Sequence, residues 1–142
     1  MKKIKTIISL IPLLALLFIA SCDKPVVVPE TERVTTLMSS GTWKISSVTI
    51  DGASNNTFAG MSLVYTKTSY TSTNGGVVWP ASGTWLFKNE TAKTITRSDG
   101  LEITIDSISE TAFILSFLWA KGTLGGGRSN SVAGKHVFTF KK

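Results

Sequence analysis

The chain has 142 residues, a net charge of +6, 42% hydrophobic residues and a single cysteine. This length suits one domain of ordinary size, and the lone cysteine excludes a fold stapled by internal disulfides. Lys2, Lys3 and Lys5 precede an uncharged apolar run from Ile7 to Cys22, so removing residues 1–21 lowers the net charge to +3. The remaining lysines, among them Lys24, Lys44, Lys67, Lys88, Lys121, Lys141 and Lys142, are scattered, which argues against a nucleic-acid surface.

A positive start, an apolar segment and small residues before Cys22 have the layout of a secretory signal, too short for a comfortable membrane span of roughly 20 residues. Ile19-Ala20-Ser21-Cys22 resembles the lipobox of bacterial lipoproteins. That resemblance implies cleavage before Cys22, a diacylglycerol on its sulfur and an acyl chain such as palmitate on its amine. Several chains hold a protein firmly on a bilayer, whereas one gives marginal binding. The implied location is the cell envelope, with the outer membrane as the expected site.

The expected organisation is a signal peptide over residues 1–21, a lipidated cysteine and tether over 22–36, and one domain over 37–142. Pro25 and Pro29 interrupt regular structure in the tether and demote Val26-Val27-Val28 as an edge strand. Such a linker of about ten residues reaches roughly 35 Å when extended, which would let the domain stand clear of the membrane.

From residue 42 the chain is a succession of short strands. They are expected at 42–51, 61–66, 69–73, 83–88, 93–98, 101–108, 112–120 and 135–141, with no sustained helical period after the signal. Asp51-Gly52 and Asp99-Gly100 are two-residue hairpin signals, and residues 53–60 leave room for a helical turn around Phe58. Trp43 and Ile45 are out of phase with Val48 and Ile50, which predicts a bulge near Ser46-Ser47. An antiparallel meander of eight strands closes into an up-and-down barrel or folds into two packed sheets; closure removes exposed edges and is the expected outcome.

Gly41-Thr42-Trp43 looks like the Gly-x-Trp signature of lipocalins. The Asp51-Gly52 turn, the run from Trp79 to Trp85 and the ending from Gly134 to Phe140 resemble the lipocalin-like domains of small bacterial lipoproteins. In lipocalins that tryptophan closes the barrel floor under an arginine of the last strand, but residues 135–142 contain none, and neither Arg97 nor Arg128 is at the matching place. The helix that follows typical lipocalin barrels is missing too.

Alternation places Trp43, Trp85, Phe87, Phe117, Trp119, His136, Phe138 and Phe140 as candidates for the barrel interior. Eight strands enclose a space that side chains fill or that admits one small molecule, so these aromatics either line a pocket for an apolar or amphiphilic ligand or plug the barrel. Residues 112–120 are apolar on both faces, which suggests an outer cover from the Phe58 turn or the tether. His136 is expected to be an interior polar residue satisfied by a neighbouring hydroxyl or carbonyl, with no second histidine or cysteine to build a metal site. The glycine-rich stretch 121–134 leads to a strand rather than a helix, unlike phosphate-cradling loops, and reads as a hairpin connection or a flap carrying Arg128.

Enzyme readings lack support. One histidine on an apolar face makes a poor triad, and Asp99, Glu102, Asp106 and Glu110 read as surface charge rather than a glycosidase pair. Asn89-Glu90-Thr91 matches an N-glycosylation pattern with no force in a bacterial lipoprotein. The expectation is therefore a monomeric, non-enzymatic envelope lipoprotein without cofactor or metal, whose partners are the membrane and a small hydrophobic ligand. The alternative is a structural or protein-interaction lipoprotein with a filled barrel and an exposed patch near Val77, Val78 and Trp79.

Overall fold

The computed structural model describes residues 25–120 and 133–142. The signal peptide, Cys22 and most of the glycine-rich connection with Arg128 lie outside the described residues.

The chain forms a helix α1 (Glu30–Met38) followed by strands β1 (Thr42–Ile50), β2 (Ala53–Ser54), β3 (Ser62–Tyr65), β4 (Ser69–Thr73), β5 (Ser82–Phe87), β6 (Thr94–Arg97), β7 (Glu102–Ile108), β8 (Ala112–Trp119) and β9 (Gly134–Lys141). Each strand from β3 to β8 pairs antiparallel with its successor. The barrel closes through β1, which pairs with β3 over Thr42 to Lys44 and with β9 over Lys44 to Ile50. Eight strands thus form an up-and-down barrel, and β2 is a two-residue extension paired with the end of β1. Closure leaves every barrel strand with two neighbours, so the meander presents no free edge.

β1 serves both neighbours because it bends. Its register with β9 shifts between Ile45 and Ser47, so Trp43 and Val48 both face inward although their parity differs. A second bulge, not signalled by the strand pattern, lies between Ile105 and Ser107 opposite β8. It lets Ile103, Ile105 and Ile108 all pack towards the core.

The two Asp-Gly turns differ. Asp51 and Gly52 both have positive φ, 48° and 82°, the geometry of a tight two-residue hairpin. At the β6–β7 turn only Gly100 is left-handed, and Arg97 N–H donates to the Leu101 carbonyl, so the connection is the three residues Ser98-Asp99-Gly100. The Asp99 carboxylate is thereby freed to accept from Leu101 N–H and from Arg97.

The expectation of a tether reaching residue 36 does not hold, because α1 begins at Glu30. Val34 and Met38, four residues apart on one helix face, are buried with the core. Leu37 is half-buried, the remaining residues of the helix are polar, and the Glu30–Arg33 ion pair at 2.6 Å spans its first turn. Residues 25–29 form no regular structure, and Val26, Val27 and Val28 are exposed.

Strand directions define two ends. The floor carries α1, the β3–β4, β5–β6 and β7–β8 turns, the start of β1 and the end of β9. The open end carries the β1–β3 connection, residues 74–81, the β6–β7 turn, the end of β8 and the start of β9. Gly83 marks a close approach inside the wall: a Cβ there would lie 2.7 Å from the Tyr70 hydroxyl of the paired strand. Tyr70 is buried, so Gly83→Ala is expected to cost about 1–3 kcal/mol, as overpacking does. A urea midpoint equal to the parent's would show that the tyrosine has room to move.

Candidate functional site

The barrel interior is built by the inward positions of alternating strands. Trp43, His136, Phe138 and Phe140 are fully buried, and Trp85, Phe117 and Trp119 nearly so. Phe87 is half-buried, packed on the edge of the core beside Trp85 with ring centroids 5.0 Å apart. Seven of the eight interior candidates are therefore buried in the core, and Phe87 lies at its edge.

Their contacts run from one end of the barrel to the other. At the floor, Trp43 packs on Phe113 at 5.2 Å, and Phe113 contacts Phe140 and Tyr65. Phe140, Phe138, His136 and Phe117 then stack nearly parallel along β9 and β8, with the Phe117 and His136 rings 4° from parallel. Phe138 occupies the centre and also touches Phe58 at 4.9 Å and Trp79 at 5.7 Å.

Two of these fillers come from loops rather than strands. Phe58 lies in the β1–β3 connection and packs inward on Phe138 and His136, not over the outer face of β8. The outer Leu118 accordingly remains 69% exposed although Ser116 on the same face is buried, so the expected cover of β8 does not reach Leu118. Val78 and Trp79 fold back into the barrel from residues 74–81, with Trp79 N–H donating to the Gly75 carbonyl at 3.0 Å. The expected exposed patch there is reduced to Val77 alone, because the other two side chains are 1% exposed.

Trp79 is covered by a cation. Arg97 is 2% exposed, and its guanidinium lies 5.2 Å from the Trp79 ring and 6.0 Å from the Tyr70 ring. Its Nη1 donates to the Val78 carbonyl at 2.9 Å, while Nε and Nη2 hold the Asp99 carboxylate. Hydrogen bonding from Arg97 keeps Asp99 below the usual carboxylate range. The pair's contribution is therefore present above about pH 4 and is lost as acid protonates the folded carboxyl.

A cation also lies over an aromatic ring at the floor. Lys142, just past β9, places Nζ 4.6 Å from the centre of the Trp43 ring and bonds Ser40 Oγ. Trp43 Nε1 donates to the Met38 carbonyl at 2.8 Å, which satisfies one of the acceptors left open at the end of α1. A lysine thus lies over the tryptophan, on a chain whose last strand lacks an arginine.

Several polar atoms are enclosed with the aromatics. His136 Nδ1 contacts the Gly134 carbonyl at 3.0 Å; the carbonyl only accepts, so Nδ1 carries the proton. His136 Nε2, Trp79 Nε1 and Tyr65 Oη are buried without a hydrogen-bond partner among the described residues. No group of three metal-ligating side chains comes together among the described residues. One cleft of about 360 Å³ is lined by α1, Lys67 and Phe87, and one of about 160 Å³ by the β6–β7 turn and the end of β8.

No protein-family model, curated protein or solved structure matches this chain.

The chain has two tyrosines, and burial pushes both phenols up, Tyr65 far beyond its ordinary range. Unfolded tyrosines release their protons near pH 10 while the folded ones retain them, so stability is expected to be intact below about pH 10 and to fall above it. Tyrosinate absorbance should then rise together with loss of circular dichroism. A rise that precedes unfolding would show that the phenols reach solvent in the native barrel.

Proposed function

We propose that this protein is a lipid-anchored lipoprotein of the bacterial cell envelope, resembling the lipocalin-like lipoproteins in fold, with a barrel filled by its own side chains and a non-enzymatic, protein-binding or structural role. The observation that carries the filled-barrel reading is Phe138, fully buried at the centre and in ring contact with Phe58, Trp79, Phe117 and Phe140. A carrier of apolar cargo needs its central volume free, and here loop aromatics reach in to occupy it. The lipobox over residues 19–22 supports anchoring, and Lys142 beside Trp43 supports the lipocalin-like reading, since it supplies a cation at the floor where the sequence has no arginine.

A second reading, a small ligand inside the barrel, is favoured by the unpartnered His136 Nε2, Trp79 Nε1 and Tyr65 Oη. Each buried polar atom left unsatisfied costs about 1–3 kcal/mol, which a small hydrogen-bonding guest would recover. Native mass spectrometry of the chain purified from membranes, with tryptophan-fluorescence titration by fatty acids, separates the two. The filled barrel predicts no retained small molecule and no saturable quenching. Saturable quenching that disappears in a folded Trp119→Ala or Trp85→Ala variant would replace it with the binding module.

A further inference from the structure

We propose that the half of the barrel nearer the open end contains a binding site for a single hydroxyl group, formed by His136 Nε2 and Trp79 Nε1 and filled by a water molecule or by the hydroxyl of a small guest. The inference rests on the unpartnered atoms behind the second reading and names the group they select. It holds equally in a barrel otherwise filled by side chains.

The chemistry starts from the histidine tautomer. Nδ1 carries a proton, because its contact is the Gly134 carbonyl, which only accepts. The ring lies among Phe58, Phe117 and Phe138, surroundings that favour the neutral imidazole. Nε2 is therefore a bare acceptor. It sits at the end of the ring remote from the backbone, and His136 is fully buried on an inward position of β9, so this atom points into the barrel.

The second group is a donor. Trp79 folds in from residues 74–81 with its side chain 1% exposed, and its indole N–H finds no acceptor among the described residues. The two rings border the same space. Phe117 and Phe138 each contact both of them, at 5.7 Å from Trp79 and at 5.4 and 6.1 Å from His136. Tyr65 Oη, also buried without a partner, belongs to another part of the interior, since its ring packs on Tyr70, Trp85 and Phe113.

An acceptor and a donor facing one apolar chamber select a ligand group that both donates and accepts. A hydroxyl does so, its proton going to His136 Nε2 and its oxygen accepting from Trp79 Nε1. A carboxylate only accepts and an ammonium only donates, so either would satisfy one atom and strand the other, besides losing its hydration among aromatic rings. Water is the smallest such group, and buried waters characteristically take up polar atoms that the protein leaves unsatisfied. Held there, the hydroxyl joins the loop carrying Trp79 to strand β9 and adds to the hold of Arg97 on the Val78 carbonyl.

The test is NMR on the isotope-labelled chain purified from membranes into detergent micelles. The single histidine makes the ring nitrogen signals unambiguous, and the Trp79 indole signal, one of four, is the one missing in Trp79→Phe. The parent is expected to show a proton on Nδ1, an Nε2 signal shifted from that of a free ring nitrogen towards that of a hydrogen-bonded one, and cross-relaxation between the Trp79 indole proton and a hydroxyl or water proton. Native mass spectrometry of the same sample identifies the source. Contact at the water line with no retained molecule assigns bound water, and contact with the hydroxyl proton of a retained compound assigns a guest. His136→Phe, which removes the acceptor, is expected to lose the contact at the indole. A proton on Nε2, an Nε2 signal at the free position or an indole proton without the contact, each read in the parent, would overturn the site, as would an unchanged contact in a folded His136→Phe. Fatty-acid quenching bears on the filled barrel alone, so the two readings fail separately.

Discussion

Trp43→Ala is expected to destabilise the barrel by roughly 3–5 kcal/mol, the range for deleting a fully buried tryptophan or phenylalanine side chain. Three contacts go at once. The stack on Phe113 is lost, the Met38 carbonyl at the end of α1 loses its donor, and Lys142 loses the ring it covers. For a domain of this size the change corresponds to a fall in melting temperature on the order of 10–20 °C. Lys142→Ala is the companion measurement, since an exposed cation over a ring contributes only about 0.5–1 kcal/mol. A Trp43→Ala melt within about 3 °C of the parent would mean that α1 and the floor are not held through this residue.

Phe138→Ala is expected to cost about 3–5 kcal/mol and to create a binding activity. The ring sits among Phe58, Trp79, Phe117 and Phe140, so its removal leaves an apolar void at the centre of the barrel. Voids of this kind stay dry and accept small apolar guests such as benzene. Benzene should therefore raise the melting temperature of the variant, by linkage, and leave the parent unchanged. A benzene-induced rise in the parent would show that the native interior already has free volume, and the filled-barrel reading would fall. No rise in a destabilised variant would show that Trp79 and Phe58 collapse into the space.

The barrel strands were legible because their signal is local. In Leu101 to Ile105 and His136 to Phe140, side chains alternate between a buried and a solvated face with period two, and any chain with that pattern gains by pairing. The break of phase in β1 likewise announced its bulge near Ser46-Ser47. α1 was not legible, because only Val34 and Met38 of its nine residues are buried and an isolated helix that short is marginal in water. It exists because the barrel floor offers those two side chains a place.

The inward turn of Phe58, Val78 and Trp79 was equally out of reach, since loops have no period to betray which way a side chain faces. Arg97 belongs to the same class. It occupies an inward position of a short strand, and only the folded chain shows it between Trp79 and Asp99 with its donors engaged. A signal was available in Arg97-Ser98-Asp99-Gly100, where a cation and a carboxylate two residues apart flank a turn, but it does not say that the pair is covered by aromatics.

The amino-acid sequence by itself therefore determined the eight barrel strands, their inward faces and the aromatic character of the interior, because each follows from spacing along a few neighbouring residues. Tertiary structure alone decided that the interior is occupied and that α1 and Lys142 meet at Trp43. Those outcomes depend on β1 pairing with β9, a contact between distant parts of the chain that brings residues 38, 43 and 142 together, and no local pattern encodes such a closure.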